Sequence, residues 1–218
     1  MIKVLTIDRE YGSGGAAIAN KVAARLGWKL WDQLLTDEIC RWLKCDRRHV
    51  ERHEEQRDPL HHRLLKAFLR GSFEGSANAP RMNIADAEGI RGVAEKLIRK
   101  VAEEGNAVIV GRGSAYDLRD HPDAFHVFIY APFEEKVRRL QSQGKAQGDA
   151  IDLVETVDIG RAAFIKQHFG VDFPCRHFFH IMTNSTMGEE AAVQTIINGL
   201  AAFQESRAVS RNGLSKEQ

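Results

Sequence analysis

The chain has 218 residues, 43% hydrophobic and 28% charged, a composition that suits one α/β domain with a full core and an added helical piece. Thirty-one basic residues against thirty acidic ones leave a net charge of +1, so no broad field draws in nucleic acid or an anionic membrane, and anion binding must be local. The longest apolar runs are strand-sized and the first residues lack a signal-peptide pattern, so the expected compartment is the cytoplasm.

The first predicted element is an apolar strand over residues 2–8, and it runs into Arg9-Glu10-Tyr11-Gly12-Ser13-Gly14-Gly15. Behind this turn Ile18, Val22 and Leu26 recur at i+4 and stop at Gly27, the pattern of an amphipathic helix with a glycine stop. Strand, glycine-rich turn and helix in that order are how a phosphate-binding loop is built. Backbone N–H groups converge on one centre and the helix N-terminus adds to the field there. Gly12, Ser13, Gly14 and Gly15 are therefore candidate phosphate-binding residues. The usual motif closes on lysine and a hydroxyl, for the β/γ-phosphates and Mg²⁺. Here Gly15 takes the lysine position and alanines follow it, so a plain packing turn stands as the second reading.

A short second strand is expected around residues 28–31, followed by Asp32, which is either a group at the ligand edge of the sheet or the cap of the next helix. No strand pattern appears over residues 33–89, which read as a mostly helical insertion. An apolar stripe from Ile90 to Val101 then ends at Gly105, and the third strand, residues 107–110, leads into Gly111-Arg112-Gly113. Arg112 can fork two N–H donors onto a phosphate or carboxylate, or sit in an ordinary ion pair.

A fourth strand over residues 125–130 precedes Pro132, which starts a helix carrying Arg138 and Arg139 on a face that reads equally as solvated or functional. Asp158 and Arg161, three apart, share a helix face where they pair or bracket a ligand. A fifth strand is expected over residues 178–182, then a helix marked by Val193, Ile196, Ile197 and Leu200, with a disordered tail over 204–218. Cys40, Cys45 and Cys175 read as reduced thiols. Cys175 with His177 and His180 lacks the second cysteine pair of a zinc site, so no metal ligands are assigned. Strands alternating with helices predict a parallel sheet covered on both faces, with ligands beyond the C-terminal strand ends.

The run from Arg9 to Gly15, Trp31-Asp32, Val108-Ile109-Val110-Gly111-Arg112, Val127 to Pro132, and Asp158-x-x-Arg161-Ala162-Ala163-Phe164 together resemble the cytidylate kinase-like family, in the right order from Ile2 to about Leu200. The resemblance implies a P-loop kinase-like domain over residues 1–203 with a five-stranded parallel sheet of order 2-3-1-4-5 between helical layers. It also implies a nucleotide-binding insertion over 33–89 and a lid over 133–160. The implied activity is transfer of the ATP γ-phosphoryl group to a nucleoside monophosphate with Mg²⁺. Gly12 to Gly15 would hold donor phosphates, Asp32, Arg112 and Asp158 would serve the acceptor, and Arg138 or Arg139 with Arg161 would neutralise the transferred group.

The departures bear on the chemistry. True cytidylate kinases carry the loop lysine and hydroxyl and an Asp-Gly-Arg-Asp after the third strand, where this chain has Val110-Gly111-Arg112-Gly113, so the metal-binding carboxylates are missing too. Phe164 stands where tyrosine is common, and Ala16 and Ala17 where polar or charged residues are usual. Arg9, inside the loop, is the first candidate for the missing cation and Arg112 the second. Two functions follow: a kinase whose catalytic set is arginine, or a nucleotide sensor that no longer catalyses. A homodimer through the apolar faces of residues 34–70 is compatible with either.

Overall fold

The computed structural model describes residues 1–42 and 84–214. Most of the stretch expected as an insertion, and the expected apolar dimer face beyond residue 42, lie outside the described residues. The strands are β1 (Val4–Arg9), β2 (Lys29–Trp31), β3 (Ala107–Val110), β4 (Ala124–Tyr130) and β5 (Ile181–Asn184). The helices are α1 (Gly15–Leu26), α2 (Gln33–Trp42), α3 (Ile84–Glu104), α4 (Ser114–Asp117), α5 (Phe133–Ser142), α6 (Gln147–Phe169) and α7 (Glu189–Leu214).

All strand pairings are parallel, in the order β2-β3-β1-β4-β5, as the resemblance implied. β1 is buried along its whole length, the consequence of a central strand covered on both faces. One face carries Leu5, Ile7, Val108, Val110, Val127 and Ile129 against α1 and α7. The other carries Val4 and Ile109 against α3 and the aromatic groups after α6. A third cluster, Tyr11 with Val137, Leu140, Val154 and Val157, joins the loop after β1 to α5 and α6. α1 stops at Gly27, whose left-handed φ of 64° lets its N–H turn back onto Ala23 and Ala24 carbonyls.

Two sequence expectations move. The fifth strand lies at Ile181–Asn184 rather than 178–182, because Arg176–Phe178 form a 3₁₀ turn. Phe178 and Phe179 instead meet the Tyr116 ring edge-on, at centroid distances of 5.3 and 6.2 Å, so their apolar character serves packing rather than pairing. The expected tail over 204–218 is helical as far as Leu214, since α7 continues past Phe203. Phe203 packs on Phe125 and His180, and Arg207 donates to the Pro122 carbonyl, so contacts hold this stretch where periodicity fades. No helix among the described residues is long and apolar enough to cross a membrane.

Candidate functional site

The C-terminal ends of β1, β3, β4 and β5 form one edge, and the loop Glu10–Gly14 closes over it before α1 begins. Gly12 and Gly14 both have left-handed φ, 74° and 77°, and Gly14 is the N-cap of α1. The Ser13 hydroxyl donates to the Glu10 carbonyl at 2.8 Å, which fixes the turn from within. A side chain at Gly12 would crowd Lys136, whose Cβ and carbonyl oxygen stand 3.1 Å from where a Cβ would lie.

Arg9, the last residue of β1, is only 3% exposed. Its stem occupies the space that Gly15 leaves, since a Cβ there would come within 2.8 Å of both Arg9 Cβ and Cγ. Its head occupies the space at Gly111, where a Cβ would overlap Nη1 and fall 3.2 Å from Cζ. The glycine at the lysine position therefore has a steric cause. Burial, then repulsion from Arg161, lower the Arg9 guanidinium to about 10, against the pull of Asp32 and Asp8. It remains a cation at neutral pH. Asp8 behind it is 4% exposed, and burial raises its carboxyl above the usual range.

After β3, Gly111, Arg112 and Gly113 take left-handed φ values of 67°, 56° and 73° in succession. Arginine pays a steric penalty there that glycine does not, so the turn is held by its contacts. The buried Arg112 guanidinium donates to Thr36 Oγ1 and to the Val110 carbonyl at 3.3 Å, and lies 3.7 Å from the Asp32 carboxylate. Asp32 and Arg112 thus stand together at the β2–β3 side of the edge.

The two arginines of α5 separate. Arg138 turns outward, its side chain 74% exposed on Glu135, and does not join the site. Arg139 turns inward. It donates to the Ser13 carbonyl and to Ser185 Oγ and O at 2.7 and 3.1 Å, with Glu135 at 2.9 Å on its other side, and Nη1 sits 3.3 Å from where a Gly14 Cβ would be. Ser185, 2% exposed beyond β5, also donates to the Ser13 carbonyl at 2.6 Å. Asp158 and Arg161 grip the loop backbone. Tyr11 N–H donates to Asp158 Oδ1 at 2.8 Å, and Arg161 Nη1 donates to the Arg9 carbonyl at 2.9 Å and to Asp158 Oδ1 at 3.3 Å. Lys136 completes this bracket with Glu10 at 3.1 Å and Asp158 at 3.2 Å.

Set beside known proteins, the chain is matched over residues 4–187 by the model of the cytidylate kinase-like family. The chain belongs to that family. Among solved structures, an uncharacterized protein from Eubacterium ventriosum ATCC 27560 is similar at 22% identity, covering 93% of this chain and 99% of that one, with a TM-score of 0.66. Shikimate kinase from Bacteroides thetaiotaomicron is similar at 18% identity, covering 92% and 99%, with a TM-score of 0.51. At these identities the likeness concerns the fold, which is that of the P-loop kinases. A search of curated proteins finds no match.

The structure adds Lys136, Glu10 and Ser185 to the residues that the sequence alone points to. Lys136 lies three residues before Arg139, and that i, i+3 spacing was its available signal. Ser185 directly follows β5, whose true end at Asn184 lies beyond the aromatic run that marks the strand in the sequence. The metal implied for this family does not fit the residues present. Gly15-Ala16-Ala17 offer no hydroxyl, Val110-Gly111 offer no carboxylate, and the described residues contain no group of three His, Cys, Asp or Glu able to hold an ion. Guanidinium groups of Arg9 and Arg112 stand at that strand end instead.

Proposed function

We propose that this chain is a phosphotransferase of nucleoside monophosphate kinase type that moves the ATP γ-phosphoryl group to a nucleoside monophosphate, with cytidylate-like acceptors first in line. The observation that carries the reading is the convergence of Arg9, Arg139, Arg161 and Lys136 on one glycine loop, with Arg112 at the same sheet edge. Phosphoryl transfer asks the protein for positioning and charge neutralisation more than for covalent chemistry, and fixed cations supply both. In this reading the loop from Gly12 to Gly15 and Arg139 hold the donor phosphates. Asp32 and Arg112 receive the acceptor, and Arg161 stands between the two through its hold on the Arg9 carbonyl. α5 and the first turns of α6, within residues 133–160, act as the lid that carries Arg139. Arg138 has no part in it. The reading places the enzyme in the cytoplasm with small nucleotides as its partners, and a second copy docking through residues 34–70 would show as a dimer mass in sedimentation.

A coupled assay of ADP release over a panel of nucleoside monophosphates tests the reading, with turnover on one acceptor well above the ATP-only rate as the expected result. The absent loop lysine and hydroxyl favour a second reading, a sensor that binds nucleotide and does not turn it over. Saturable calorimetric binding of ATP or CMP with no ADP release would favour it.

A further inference from the structure

A P-loop kinase holds its divalent cation between the hydroxyl that follows the loop lysine and a carboxylate at the end of the neighbouring strand. In this chain a guanidinium fills the corresponding ground between β1 and β3. The Arg9 stem lies against Gly15 and its head against Gly111, so the two positions that would carry the loop lysine and flank the strand-end carboxylate are both glycines that make room for one arginine. We propose that Arg9 takes the place of the divalent cation, so that this site binds the triphosphate of its nucleotide without metal; the inference rests on the reading that the site binds a nucleoside triphosphate.

Three observations bear on it. Asp32 faces the Arg112 guanidinium at 3.7 Å, and both it and Asp8 act on the Arg9 charge, so these carboxylates are committed to cations already present. Arg9 and Arg161 repel each other, and Arg112 adds to that repulsion. An incoming polyanion relieves this repulsion and an incoming dication deepens it. Finally, the guanidinium is fixed from both sides by backbone and by packing, and its N–H groups form a planar fork suited to phosphate oxygens, with none of the dehydration cost that a magnesium ion carries.

The test is calorimetric titration of the full chain with ATP, once in EDTA and once in excess Mg²⁺. The inference predicts binding in EDTA that is equal to or tighter than binding in Mg²⁺. It also predicts a loss of about tenfold or more on Arg9→Ala in EDTA, with Arg9→Lys recovering only part of it. The wild-type comparison needs no variant, so a folding defect in Arg9→Ala leaves the inference falsifiable. Binding that Mg²⁺ tightens by about tenfold or more overturns the inference and leaves the kinase reading standing. No binding in either condition overturns both.

Discussion

At the scale of single residues, Arg138 and Arg139 carry the sharpest contrast, because they are adjacent on one helix and only Arg139 reaches the loop. Removing one preorganised donor to a developing charge costs roughly 10²–10³ in turnover, so Arg139→Ala should lose about that much kcat. Arg138→Ala, whose exposed pair with Glu135 is worth roughly 0–1 kcal/mol at most, should stay within about twofold of the parent. Steady-state kinetics of the two variants on one acceptor checks both. Ser185 acts through Arg139: its hydroxyl accepts from Arg139 and donates to the Ser13 carbonyl. Ser185→Ala should raise the KM for ATP by roughly tenfold, an effect of about 1.4 kcal/mol, while the KM for the acceptor stays put. Equal shifts in both KM values would mean a general loss of structure. Arg112 offers a stability test of its own. Arg112→Gly and Arg112→Ala both delete the guanidinium, but only alanine keeps the left-handed penalty, so the glycine variant should be the more stable by about 1 kcal/mol in urea unfolding.

Elements decide which of these residues could be read from sequence and which could not. The long apolar runs of β1, β3 and β4 announce buried parallel strands, the loop glycines and Arg112 follow at the ends of β1 and β3, and Asp158 and Arg161 are legible as an i, i+3 pair on α6. β5 is short and half-buried, so the aromatic run before it is the stronger apolar signal and the position of Ser185 is not legible from sequence. Neighbours 138 and 139 differ by one step around a helix, and only the packing of α5 on the loop tells them apart. For Lys136 the i, i+3 spacing to Arg139 is the one local signal, and its partners in the loop and in α6 lie far apart in sequence.

β4 carries a further consequence. His126 N–H donates to His180 Nδ1 at 2.9 Å, Thr6 Oγ1 meets His126 Nδ1 at 2.7 Å, and burial first, then the neighbouring His180, lowers His126 to about 4. His180 is lowered as well, mainly by burial and then by Arg207. A histidine held neutral in the folded state costs nothing above about pH 6.5, and below it the unfolded chain takes the proton first. Its stability contribution should therefore fall by about 1.4 kcal/mol per pH unit from pH 6.5 towards 4. Asp117, raised to about 6 chiefly by burial against the pull of Arg91, works in the opposite sense below pH 6, because there the folded state holds the extra proton. The histidine effect is accordingly read as the difference between the parent and His126→Gln in denaturant titrations at pH 7.5, 6 and 5. A difference that does not change with pH would contradict the assignment.

For the whole molecule, the family fold and the chemistry of its site pull apart. Sheet order and loop position are those of a P-loop kinase, while the lysine, hydroxyl and strand-end carboxylate have given way to glycines, alanine and valine around a buried arginine. Fold alone does not fix activity, and the cations gathered at the loop are what favour catalysis. Those cations neutralise charge equally well for binding and for transfer, and the two outcomes differ only in where the phosphorus goes. The decisive measurement is ³¹P NMR of the full chain incubated with ATP and a mixture of nucleoside monophosphates. The account predicts that the γ-phosphorus leaves ATP and reappears as the β-phosphorus of a new nucleoside diphosphate alongside ADP. A spectrum that stays unchanged, or that gains only inorganic phosphate, would contradict it.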